Sequence, residues 1–156
     1  MKKTEALPTN VDFNSVNQTL IDLLAEVAWV EESQLKKGPF SDLTVREVHT
    51  IYAISMYEEK TASYLAKAVH LSPSAMTTAI DRLVDKGYVE RRRSKSDRRV
   101  VKLGLTHQGR VLYRVHRIFH MGMTKAIFSD ATNENAPVIQ RALHNLREHL
   151  GDLLQE

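Results

Sequence analysis

Apolar residues recur at helical spacing along two long segments near the ends of the 156-residue chain. The first segment, 13–37, stops before Gly38-Pro39, because proline disfavours helical geometry in the residue that precedes it. The second begins after Thr106, a predicted N-cap, and a last helix is expected over about 133–154. Pro137 is expected to interrupt that last helix near its start.

Shorter elements are predicted for the middle of the chain. Residues 44–47 have a capping-box pattern and open a second helix, while a third helix is predicted over 61–69. Ser72-Pro73 pairs an N-cap with a proline at the first helical position, so a fourth helix begins there. Two extended segments follow, 88–93 and 99–105, and the second has the alternation of a half-buried strand.

The order of these elements predicts a mainly α fold with a small two-stranded wing, a winged helix-turn-helix. The chain 1–156 is expected to form a single unit, in which 44–105 is the DNA-binding lobe. The segments 13–37 and 106–154 are predicted dimerisation helices, because the small lobe cannot cover their apolar stripes. Pairing with the same helices of a second copy is the simplest way to bury them.

Composition is that of an ordinary soluble globular protein, with 42% apolar and 26% charged residues. The chain lacks an apolar run of about 18 residues, and its start lacks the apolar stretch of a secretory signal. The absence of cysteine excludes disulfides, thiol nucleophiles and thiolate metal sites. We therefore expect a cytoplasmic protein with no membrane partner.

The net charge of +3 conceals a basic middle segment. Residues 61–103 carry 10 basic and 4 acidic side chains, whereas residues 1–60 carry 6 and 10. Seven basic and two acidic residues fall within the 14 positions 86–99. A charge run alone is more often a solvated face, but clustering in a predicted wing indicates a phosphate-binding surface.

Small hydroxyl residues lie on the predicted solvent face of the fourth helix, where they can approach base edges and thymine methyl groups. Arg98 lies near the hairpin tip, where a guanidinium can enter a narrow minor groove. Asp97 is interpreted as an internal partner that orients an arginine and fixes the loop. The predicted DNA-binding residues are Ser72, Ser74, Thr77, Thr78, Arg82, Arg93, Lys95, Asp97, Arg98 and Arg99.

The segment 96–110 resembles the wing and the following helix start of the MarR family. The family signature, DxR followed by LTxxG, matches Asp97, Arg99, Leu105, Thr106 and Gly109. The resemblance extends over about residues 13–154 and implies a homodimeric, winged helix-turn-helix repressor that binds double-stranded DNA.

Within that family, residues 30–35, 45–51 and 116–120 resemble FabT-type repressors of bacterial fatty-acid synthesis. This resemblance implies an AT-rich palindromic operator and long-chain acyl-acyl carrier protein as corepressor, with no resident cofactor. The candidate acyl-binding residues are Trp29, Val30, Phe119, Met121 and Met123, which are equally compatible with plain core or dimer interface. Arg110, Arg114 and Arg117 form a basic stripe that can meet the acidic carrier protein or pair with acidic residues of the first helix.

Three histidines leave an alternative open. His116 and His120 are four positions apart on one predicted helix and can share a metal ion, and His49 lies on another helix. We expect these side chains to be structural and no metal to bind. The alternative is a MarR-type repressor that responds to zinc or to a small molecule. In the zinc case His49, His116 and His120 would be the metal ligands.

Other classes of function find less support. No glycine-rich phosphate loop, nucleophile elbow or paired-carboxylate motif is present, so we do not expect an enzyme. A winged-helix module that binds only proteins remains the alternative of another class, and the basic wing argues against it.

Overall fold

The computed structural model describes residues 10–94 and 97–154 of the chain. The two strands pair antiparallel, with Val89 opposite Leu105 and Arg93 opposite Val101. The mainly α fold with a two-stranded wing is confirmed. The elements are α1 (Phe13–Lys37), α2 (Val45–Ile54), α3 (Ala62–Ala68), α4 (Pro73–Asp85), β1 (Val89–Arg93), β2 (Val101–Leu105), α5 (His107–Ile127) and α6 (Ala136–Leu153).

Side-chain caps fix the helix starts that the sequence predicts. Thr44 Oγ1 accepts from the Glu47 N–H at 3.2 Å, and the Glu47 carboxylate accepts from the Thr44 N–H at 2.8 Å, which completes the capping box. Thr61 caps α3, Ser72 caps α4 and Thr106 caps α5, each through its side-chain oxygen. The first residue of each helix in the predicted helix-turn-helix is therefore fixed by a hydrogen bond to a capping side chain.

The start of α6 differs from the expectation. The helix begins at Ala136, and Pro137 lies in its first turn, where the missing proline N–H needs no intrahelical partner. The residues before it form a turn in which Asn135 Oδ1 accepts from the Thr132 N–H at 2.7 Å. The prediction that Pro137 interrupts a helix already begun at about position 133 is therefore wrong.

The hydrophobic core lies in the lobe 44–105, formed by α2, α3, α4 and the wing, and the first half of α5 packs onto it through Leu112 and Tyr113. Ile51 and Ile54 of α2, Leu65 of α3 and Leu83 of α4 are completely buried. Tyr88, at the junction between α4 and β1, is also buried, and its hydroxyl donates to Asp42 Oδ1 at 2.9 Å. Burial, followed by the neighbouring Asp42 carboxylate, raises the pKa of Tyr88 to about 12. Because α4 and the wing pack against the same core, their relative position is fixed.

The two terminal helices contribute little to that core. Neither α1 nor α6 contains a buried residue, and both expose large apolar side chains, such as Leu24 and Leu150. Their apolar stripes are uncovered within the protomer, as expected of helices that pair with a second copy. The assignment of 13–37 and 106–154 to dimerisation stays a prediction. None of the helices in the described part of the chain is both long enough and apolar enough to cross a membrane.

Candidate nucleic-acid interface and ligand cavity

One face of α4 is buried and the other is polar and exposed. Met76, Ile80 and Leu83 anchor the helix in the core. The Thr77 hydroxyl donates to the Pro73 carbonyl at 2.9 Å, and the Thr78 hydroxyl donates to the Ser74 carbonyl at 3.1 Å. Each threonine oxygen keeps lone pairs that can accept hydrogen bonds from base amino groups. The exposed face carries the predicted residues Ser72, Ser74, Thr77, Thr78 and Arg82.

Two arginines of the wing are engaged within the protomer. Arg91 on β1 pairs with Asp81 on α4, which links the wing directly to the polar face of that helix. Arg92 pairs with Glu90 and lies 3.2 Å from the Glu59 carboxylate in the connection between α2 and α3. These contacts fix the wing against the rest of the protomer, a structural role that the sequence does not reveal for either arginine.

The predicted wing arginines differ from that pair. Arg93, Arg98 and Arg99 are exposed, and within the ranges 10–94 and 97–154 none of them forms an ion pair. Their guanidinium groups therefore remain available to an anionic partner. Lys95, also predicted to bind DNA, lies outside the described residues.

Asp97 organises the turn at the wing tip. Its carboxylate accepts from the Arg99 backbone N–H at 2.9 Å, and its carbonyl accepts from the Val100 N–H at 3.0 Å. The carboxylate thus fixes the backbone of the loop, as in an Asx-turn. Among the described residues the Asp97 carboxylate accepts from this N–H and forms no ion pair with a guanidinium, so its influence on Arg98 acts through the backbone.

An apolar cavity of about 370 Å³ lies between the C-terminal part of α1, the start of α2 and the middle of α5. Glu31, Gln34 and His116 form its polar part. Most of this wall was not predictable from the sequence, because single apolar residues do not indicate which helices converge. The apolar lining comprises Leu35, Phe40, Val45, Val48, Leu112, Val115 and Phe119.

Of the candidate acyl-binding residues, Phe119 lies in the cavity wall. Trp29, Val30, Met121 and Met123 are not part of the lining, and the Trp29 side chain is 71% exposed. The apolar wall is therefore closer to the lobe 44–105 than the predicted set of acyl-binding residues implies.

The basic stripe of α5 divides into two parts. Arg110 is half-buried and its Nη1 donates to the Leu105 carbonyl at 2.7 Å, so it braces the junction with the wing. Arg114 and Arg117 are exposed, and Arg117 Nη1 donates to the Tyr57 hydroxyl at 3.4 Å. Within the described residues these arginines form no ion pair with α1, the alternative noted from the sequence.

Three histidines converge on Glu31. The Glu31 carboxylate lies 3.3 Å from His49 Nε2, 3.1 Å from His120 Nε2 and 4.0 Å from His116 Nδ1. The Nε2 atoms of His116 and His120 are 3.1 Å apart. Burial of His116, followed by the neighbouring imidazoles, lowers its pKa to about 4. The structure thus brings together the three histidines predicted as alternative metal ligands and adds the Glu31 carboxylate to them.

Comparison with known proteins identifies the family to which this fold belongs. Residues 43–101 match the MarR family. The crystal structure of Streptococcus pneumoniae FabT in complex with DNA is similar, with 36% sequence identity and a TM-score of 0.80. That match covers 91% of this chain and 99% of the FabT chain. The chain belongs to the MarR family. The resemblance found in the wing sequence is therefore confirmed, and the protein is a MarR-type transcriptional regulator.

Two proteins of Bacillus subtilis (strain 168) are also similar to this MarR-family chain. The HTH-type transcriptional regulator YwhA is 48% identical over 46 residues, which cover 30% of this chain and 33% of YwhA. The matched segment thus spans about a third of YwhA. The HTH-type transcriptional regulator YybA is 22% identical over 133 residues, which cover 83% of this chain and 89% of YybA. The relatives are regulators, so the expectation that this chain is not an enzyme is confirmed.

Proposed function

We propose that the protein is a homodimeric repressor of fatty-acid synthesis genes that binds an AT-rich palindromic operator in the cytoplasm. Long-chain acyl-acyl carrier protein is the proposed corepressor. The observation that carries the DNA-binding part is the exposed hydroxyl face of α4 beside a braced wing, whose Arg93, Arg98 and Arg99 form no ion pair within the described residues. The 36% identity to FabT, whose structure was solved with DNA, supports the operator and the pathway.

We expect a dimer that binds a near-palindrome with half-sites about one helical turn, ~10 bp, apart. Each protomer supplies one recognition helix, α4, and the exposed stripes of α1 and α6 supply a self-complementary interface. Sedimentation at micromolar concentration, together with gel shifts on genomic fragments, checks this. A monomeric mass would contradict the dimer. A dimer that retains no fragment would favour a winged-helix module that binds proteins.

Asp97 provides a test of the wing. Asp97→Ala removes the acceptor for the Arg99 N–H and should weaken operator binding by about 0.5–1.5 kcal/mol in each half-site, the net value of a hydrogen bond, and thus by about 1–3 kcal/mol for the dimer. Asp97→Asn keeps an oxygen acceptor and removes the negative charge, so it should bind at least as tightly as the wild type. Fluorescence anisotropy with a duplex selected by the wild-type protein, at one salt concentration, compares the two. Tighter binding by both variants would show that Asp97 merely repels phosphates.

The apolar cavity is the proposed acyl site. Its wall is contributed by α1 and α5, which belong to the predicted dimerisation region, and by α2, which belongs to the lobe. An acyl chain inserted between them would fix the position of the lobe on the dimer, and thereby the spacing of the two α4 helices. Exposed Arg114 and Arg117 on the same helix offer positive charge to the acidic carrier protein.

Palmitoyl-acyl carrier protein is therefore expected to raise operator affinity by about 5–150-fold, the usual range of allosteric coupling. Carrier without an acyl chain should have much less effect, because it buries no apolar surface in the cavity. Val45→Phe should reduce the response by filling the cavity, whereas the matched Val45→Ala leaves it open and should retain the response. Anisotropy titrations with and without each carrier measure these factors. An equal response to both carriers would contradict an acyl site.

A further inference from the structure

We propose that Glu31, His49, His116 and His120 form a site for one divalent transition-metal ion of the zinc class. We further propose that the bound ion strengthens binding of an apolar chain in the adjacent cavity. The four residues come from α1, α2 and α5, so the ion would join the predicted dimerisation region to the DNA-binding lobe.

The geometry fits a small tetrahedral ion. Each residue offers one ligand atom, and all four atoms lie within 4.8 Å of one another. Bonds of about 2.0–2.1 Å to a tetrahedral Zn²⁺ place its ligand atoms about 3.3 Å apart. The separations of 3.1, 3.3 and 4.0 Å around the Glu31 carboxylate bracket that value. Three imidazole nitrogens and one carboxylate oxygen are ligands that zinc commonly takes.

Burial of the carboxylate is a second and independent observation. Only 9% of the Glu31 side chain is exposed, although the helix that carries it has no buried residue. Among the described residues neither lysine nor arginine forms an ion pair with Glu31. The groups that face this buried carboxylate are imidazoles, which are positive only when they are protonated. A buried carboxylate that is not compensated is costly, and a divalent cation bound by the same imidazoles supplies a permanent positive charge.

The ion site shares two residues with the cavity, since Glu31 and His116 line both. When an apolar chain fills the cavity, it removes water from the Glu31 carboxylate, which costs free energy while the charge is uncompensated. A bound cation compensates that charge beforehand. Metal and chain should therefore bind cooperatively, with each raising the affinity of the other by the same factor. This second step rests on the proposed acyl site.

Metal binding is tested first, with the dimer of the 156-residue chain after treatment with a chelator. Titration with Co²⁺ should produce the strong visible absorption of four-coordinate cobalt, and calorimetry with Zn²⁺ should give one ion per protomer. Loss of an outer-shell partner already lowers metal affinity by about 10–100-fold. His49→Gln and His120→Gln each remove a ligand and should lower it by more than about 100-fold.

The matched control is His144→Gln. His144 lies on α6, 3.4 Å from the Glu148 carboxylate, and is a histidine–glutamate pair away from the cluster. Zn²⁺ should bind this variant as it binds the wild type, and should raise the unfolding temperature of both but not of His49→Gln or His120→Gln. Absence of stoichiometric binding, or equal affinity in all four proteins, would show that Glu31 serves only as a hydrogen-bond acceptor and would overturn the site.

The coupling between metal binding and acyl-chain binding (the linkage) is tested without DNA. The affinity for palmitoyl-acyl carrier protein is measured for the metal-free and the Zn²⁺-loaded dimers. Zn²⁺ should raise that affinity by at least about fivefold in the wild type and in His144→Gln, but not in His120→Gln. Equal affinities with and without metal would overturn the linkage while leaving the metal site in place. Failure of palmitoyl-acyl carrier protein to bind either form, with Zn²⁺ still bound, would overturn the proposed effector and the linkage, but not the ion site.

Discussion

Replacing Gly109 by alanine is expected to destabilise the protein by about 3 kcal/mol, at the upper end of the usual cost of overpacking. A Cβ atom at this position would lie 2.2 Å from the Tyr88 carbonyl oxygen and 3.3 Å from Leu105 Cβ. The closest atom belongs to the backbone that leads into β1, so a side-chain rotation cannot relieve the contact. Either α5 or the wing must shift, and both contribute side chains to the buried core.

Gly122→Ala on the same helix is the matched control. No heavy atom of the described residues lies within 4 Å of the Cβ that this substitution would add, and alanine is favoured over glycine in a helix by about 1 kcal/mol. Urea unfolding at one protein concentration should therefore lower the midpoint for Gly109→Ala and leave it unchanged or raised for Gly122→Ala. Equal midpoints for the two variants would show that α5 adjusts freely against the wing.

The local parts of this fold could be predicted from sequence because each depends on a few neighbouring residues. Thr44, Thr61, Ser72 and Thr106 each cap a helix within three positions, so their side chains and the apolar period that follows define the helix starts. The position of Pro137 could not be predicted, because proline in the first turn of a helix and proline inside a helix have the same local sequence pattern. The turn at 132–135 determines that the helix starts just before Pro137, and the sequence pattern of such a turn is weak.

The missing parts of the site depend on packing between distant segments. The sequence shows Arg91 and Arg92 as two more positive charges of the wing, yet Asp81 and Glu59 engage them across separate elements. Glu31 is one of several acidic residues of its region, and only the approach of α2 and α5 distinguishes it. An alternation or a capping motif cannot encode such contacts, because they arise once the helices have docked.

Arg98→Ala is expected to produce the largest loss of operator affinity. Arg98 lies in the exposed turn of the wing, and its guanidinium forms no ion pair within the described residues. A base-reading arginine contributes about 1–3 kcal/mol, and a dimer presents it once in each half-site. The combined loss is then about 2–6 kcal/mol, which corresponds to about 30-fold to more than 10,000-fold in affinity.

The mode of contact is decided by two further measurements. A guanidinium in a narrow minor groove reads the stiffness and width of AT-rich DNA, so Arg98→Ala should lower the preference for AT-rich over GC-rich flanks. Arg98→Lys keeps the charge but lacks the planar fork, and should recover only part of the loss. If instead Arg98→Ala weakens binding to the operator and to unrelated DNA equally, and Arg98→Lys restores both, the arginine contacts phosphate alone. In that case α4 carries the sequence recognition, and the wing supplies only the electrostatic attraction.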